Sequence, residues 1–130
     1  MIQWFRPEEF GAGVEHLHPL LILALDSLRG RLGVPIIIHE AYATTGHTPG
    51  SQHGEGRAVD CHAEGLPLGD FWLEAERQPS FTGIGLYPYW THPGLHLDTR
   101  PGPQRSRWWK DRDHAYRAVD AASLRTILAA

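Results

Sequence analysis

The chain has 130 residues, 12 Lys+Arg against 15 Asp+Glu and a formal net charge of -3, with 42% hydrophobic and 21% charged residues. That length and balance fit one domain with one ordinary core, argue against wholesale disorder, and make the chain a poor candidate for a nucleic-acid binder, which needs a basic face to neutralise phosphates. The single cysteine, Cys61, excludes a disulfide framework and any multi-thiolate metal site, so a metal would have to be held by the nine histidines and the carboxylates.

Residues 16–31 are predicted to form a helix, because Leu17, Leu20, Leu21, Ala24, Leu25 and Leu28 recur at three- and four-residue steps. Val34-Pro35-Ile36-Ile37-Ile38-His39 is short and β-branched and reads as a buried strand, and 44–56, rich in Gly, Thr, Ser and Pro, as an exposed loop. Arg57 to His62 alternates as a second strand, and Leu66 to Gln78 carries Leu68, Phe71, Trp72 and Ala75 at helical spacing. Phe81 to Tyr87 and Gly94 to Asp98 are two further strands across an aromatic turn, and Asp120 to Ala130 is a helix. Residues 100–113 show no clear period. Helices and short strands without a regular βαβ beat predict a small α+β domain spanning 1–130.

No stretch approaches the about 18 consecutive apolar residues of a membrane span, so membrane insertion is not expected. The start of the chain lacks the apolar run of a secretory signal, and the expectation is synthesis in a cytoplasm without a signal peptide. A monomer is expected.

Chemistry concentrates in Ser51-Gln52-His53-Gly54-Glu55-Gly56-Arg57-Ala58-Val59-Asp60 and in Gly94-Leu95-His96-Leu97-Asp98. Side chains alternate faces along a strand, so Ala58, Asp60 and His62 share one side and Val59 and Cys61 the other. Likewise Leu95 and Leu97 oppose His96 and Asp98. If the two strands are neighbours, His53, Asp60 and His96 meet, and two imidazoles with one carboxylate leave a fourth zinc position open, as in catalytic sites. Taken alone, the same residues are also consistent with scattered surface polar and capping groups.

These motifs resemble those of the zinc D-alanyl-D-alanine carboxypeptidases and their peptidoglycan endopeptidase relatives, which are structurally akin to the Hedgehog signalling domain. The first is Ser-x-His-x-x-Gly-x-Ala-x-Asp over Ser51 to Asp60; the second is Gly83-Ile84-Gly85-Leu86-Tyr87-Pro88 leading into Leu95-His96-Leu97-Asp98, with Trp108 and Trp109 following. The entry through Phe10, the leucine-rich helix and Leu32-Gly33-Val34-Pro35-Ile36 extends the resemblance over most of the chain. It implies a small antiparallel sheet flanked by helices and Zn2+ held by His53, Asp60 and His96. It also implies hydrolysis of peptidoglycan peptides, with Ser51 beside the substrate groove.

Two positions depart from that pattern. Ala43 stands where many relatives carry an arginine, leaving Arg57 or Arg100 as substitutes for binding substrate. Pro93 stands where many carry the general base, leaving Asp98, the favoured choice, or His92 to handle protons. A non-catalytic, metal-stabilised binding module of the same fold is the alternative, and a metal-free scaffold or phage structural component a third. A lytic domain without a signal peptide fits a phage or prophage lysin that acts on the cell wall after release.

Overall fold

The computed structural model describes residues 2–47 and 50–130; Met1, and Thr48 and Pro49 within the predicted loop, lie outside the described residues. Two short 3-10 turns, Pro7–Phe10 and Val14–His16, precede helix α1, Pro19–Leu32. The helix starts three residues later than the leucine pattern suggested, because Pro19 occupies its first turn and His18 caps it, Nδ1 accepting from the Leu20 N–H at 3.3 Å. Strands β1 (Ile36–Glu40) and β2 (Ala58–Ala63), helix α2 (Leu68–Glu76), strands β3 (Gly83–Tyr87) and β4 (Gly94–Asp98), β5 (Ser106–Lys110), β6 (Tyr116–Ala118) and helix α3 (Ala121–Leu128) follow. Asp120 caps α3 in a reciprocal pair with Ser123.

The six strands form one sheet in the order β1-β2-β4-β3-β5-β6. It is mixed rather than antiparallel. The end of β4 lies beside the start of β3, since Asp98 pairs with Gly83. The chain returns from there to place Ser106 beside Gly83 on the far side of β3, so β5 must run parallel to β3. Both β5 and β6 fall in the region that showed no period.

One face of the sheet carries Val59, Cys61, Ile84, Leu86, Leu95, Leu97 and Trp109, which pack with Leu21, Leu25 and Leu28 of α1, Phe71 of α2 and Ile127 of α3 in one buried cluster. Fully burying such a side chain stabilises by about 1.5–3 kcal/mol, so this face fixes which way every strand is turned. Cys61 lies in it, as alternation predicts, and burial pushes its thiol well above the usual range. The opposite face is therefore obliged to show the intervening residues. Register aligns them in one row across the sheet: Glu40 beside Asp60, Asp60 beside His96, His96 beside Gly85, and Gly85 beside Trp108.

Candidate metal centre

His53, Asp60 and His96 converge on the open face, each offering one ligand atom within 4.8 Å of the others. Asp60 Oδ1 stands 3.2 Å from His53 Nε2 and 3.2 Å from His96 Nδ1. Asp60 and His96 are direct register neighbours in β2 and β4. His53 arrives from the loop, whose turn is closed by the Gly56 N–H donating to the His53 carbonyl at 3.2 Å.

The far nitrogen of each imidazole is engaged. His53 Nδ1–H donates to the Ala41 carbonyl at 2.8 Å, which leaves the Nε2 lone pair directed at Asp60. His96 Nε2–H donates to Asp98 Oδ2 at 2.7 Å, which leaves its Nδ1 lone pair directed at the same oxygen. Acceptors behind metal-binding imidazoles fix the tautomer and the ring plane in this way. Two neutral imidazoles and one carboxylate, presented together with their outer hydrogen bonds complete, are a donor set that suits a tetrahedral ion with one open position.

The electrostatics agree. Burial would raise the Asp60 carboxyl, but when His53 and His96 are protonated their hydrogen bonds and charges overcome it and hold the group well below the usual carboxylate range. A cation shared by the carboxylate and the two neutral rings would take the place of those protons. Burial would likewise lower His96, and Asp60 and Asp98 outweigh it, raising the imidazole. A site that stabilises positive charge at this point is one a cation can occupy.

Asp98 faces this site, as predicted, but is fully enclosed. Besides His96 it accepts from Arg100, whose Nε lies 2.9 Å and Nη2 2.6 Å away, and from the Arg100 backbone N–H at 3.1 Å. Against burial, His96 and Arg100 hold this carboxyl well below its usual range. It stands behind the His96 ring. The backbone of β3 makes room for it: a Cβ on Gly83 would fall 2.3 Å from both Asp98 carboxylate oxygens.

An open cavity of about 880 Å3 lies over the three residues. Ser51 and Arg100 line it, whereas Arg57 does not; its Nη1 reaches the Thr99 carbonyl at 3.4 Å. The tryptophan pair divides between the faces: Trp109 is in the core, and Trp108 lines the cavity with its ring 5.1 Å from that of His96. A Cβ on Gly85 would strike the Trp108 indole at 2.5 Å, so glycine there lets the ring lie against the sheet. His92 turns away, stacking on His62 with centroids 4.6 Å apart.

Sequence reasoning placed His47 no further than the wall or surface near the site and did not single out Lys110 or Tyr116, yet all three line the cavity. His47 stacks on His53 at 4.3 Å, and its Nε2 is 3.1 Å from Glu40 Oε1. Lys110 and Tyr116, register partners on β5 and β6, close the other side, with the ammonium 4.9 Å from the ring centroid. The Glu40 position depends on a register shift between Ile38 and Glu40, which nothing in the local pattern announces.

No protein-family model matches the chain, and no curated protein matches it. No helix among the described residues is long and apolar enough to cross a membrane.

Proposed function

We propose that the protein is a zinc-dependent peptidase of the D-alanyl-D-alanine carboxypeptidase and peptidoglycan endopeptidase type, acting on bacterial cell-wall peptides. One observation carries the reading: His53 Nε2, His96 Nδ1 and Asp60 Oδ1 face one another while an acceptor occupies the far nitrogen of each ring. The wall-peptide substrate is supported by the motif resemblance over Ser51 to Asp60 and Gly83 to Asp98. The reading carries a setting of the phage or prophage lysin kind.

His53, Asp60 and His96 would hold the ion. When bound, zinc supplies Lewis acidity that makes water nucleophilic near neutral pH and polarises a carbonyl. The chain's own groups do the rest. His47, whose Nε2 lies 3.1 Å from Glu40 Oε1, stands at the cavity where it can take a proton and return it to the leaving amine. Arg100 is held in plane by Asp98 through Nε and Nη2, and it offers Nη1 to the developing negative charge, the task of the arginine absent at Ala43. Lys110 lines the cavity with no carboxylate partner among the described residues, which suits a substrate carboxylate. Tyr87, Trp90 and Trp108 supply an aromatic wall.

The test is bound zinc and hydrolysis of purified peptidoglycan by the wild type, His53→Ala and His96→Ala. The wild type should release new amino termini, and either variant should lose that activity together with its zinc at this centre. Full hydrolysis by either variant refutes the reading. Because Asp98 is committed to His96 and Arg100, zinc bound tightly without turnover would favour the metal-stabilised binding module instead.

A further inference from the structure

The proposed centre uses two of the nine histidines. Three more, His39, His62 and His92, gather one strand step away, from three separate elements. His39 is the residue at the register shift of β1, and His62 follows Asp60 by two in β2 on the same face, about 7 Å along the strand. His92 belongs to the turn between β3 and β4.

His39 Nε2 and His62 Nδ1 face each other at 2.5 Å. The His92 ring lies parallel to His62 at 4.6 Å and edge-on to His39 at 6.4 Å. Glu64 Oε2 is 3.6 Å from the other nitrogen of His62. Between two neutral rings the facing nitrogens share one proton, and a cation held by both would take its place, that proton moving to the far nitrogen of the same ring. A tetrahedral ion of zinc size needs its nitrogens about 3.3 Å apart, so the pair has to open by less than about 1 Å. His92 and His39 are exposed, and the His92 ring would have to leave its stack on His62 to supply a third nitrogen.

We propose that His39, His62 and His92 form a second binding site for a divalent transition-metal ion, separate from the His53–Asp60–His96 centre. An all-imidazole set suits zinc, copper or nickel rather than magnesium or calcium. An ion there ties β1, β2 and the β3–β4 turn together. Trp90, which lines the cavity and stacks on His39 at 5.7 Å, sits on that tie. Occupancy of the second site therefore sets the stiffness of one cavity wall.

The experiment counts zinc on the full chain, stripped with chelator and dialysed against Zn2+, by elemental analysis. Two ions per chain are expected for the wild type, one for His39→Gln/His92→Gln, and one for His53→Gln/His96→Gln. Equal zinc content in the wild type and the His39→Gln/His92→Gln variant overturns the proposal, whatever happens at the first centre. Loss of one ion in that variant with no loss in His53→Gln/His96→Gln supports the second site and counts against the first. As a second readout, added zinc should raise the Tm of His53→Gln/His96→Gln but not that of the variant also lacking His39 and His92. No such difference overturns it.

Discussion

Replacing Asp98 by asparagine separates two roles that one carboxylate could play. The side chain keeps its size in a fully enclosed position, so packing is little disturbed. Its hydrogen bonding is not. The carboxylate accepts from His96 Nε2 at 2.7 Å and from Arg100 Nη2 at 2.6 Å. In Asp98→Asn, Arg100 can only donate and claims the amide oxygen, which turns the amide NH2 towards His96. His96 must then accept at Nε2 and carry its proton on Nδ1, the nitrogen aimed at Asp60. Metal binding has to reverse that tautomer against the new hydrogen bond. Losing such an outer partner costs about 10- to 100-fold in metal affinity, or about 1.4–2.8 kcal/mol. A competition titration of Zn2+ against a chromophoric chelator reads this directly. An unchanged Kd with a large fall in kcat would refute the positioning role and restore Asp98 as the proton-transfer group.

Gly56→Ala should destabilise by about 3 kcal/mol or more in urea denaturation, because its φ is 70° and a Cβ would lie 2.0 Å from the His16 carbonyl oxygen. Lys110→Ala should raise KM about tenfold for peptides ending in a free carboxylate and leave kcat nearly unchanged, a pattern read by steady-state kinetics against the amidated peptide. Asp26 accepts from the backbone N–H groups of Gln3, Trp4 and Phe5 at 2.8, 2.7 and 3.0 Å, and these outweigh burial to lower its carboxyl in the folded state. Its stabilisation is therefore complete above the ordinary aspartate value of about 3.9 and fades as pH falls through the lower folded value. Asp26→Asn should lose stability at neutral pH and show a smaller further loss near pH 3, measured by urea midpoints.

The alternation of Val59, Asp60 and Cys61, and of Leu95, His96 and Leu97, was enough to turn a carboxylate and an imidazole to the same face, and burial of the apolar members enforces it. Their adjacency was a supposition until register placed β2 beside β4. Ser106 to Lys110 could not be read the same way. Arg107 interrupts the period on the core side, where its guanidinium pairs with Glu76, and the strand's partner is non-local and parallel. The His39 shift and the Glu40–His47 pair were hidden for a related reason: a bulge is a property of two strands together. Asp98 was legible as facing the site, but not as already claimed by two neighbours.

The two imidazoles of the centre are steered by anchors of different kinds. His53 answers to the carbonyl of Ala41, which every residue at that position would supply equally. His96 answers to a side chain, Asp98, which a single base change can remove. One half of the centre is thus insulated from drift at its anchor and the other is exposed to it. If the centre holds a metal as proposed, its affinity in descendants of this chain would have an adjustable setting at position 98, while the carbonyl that steers His53 stays whatever residue replaces Ala41.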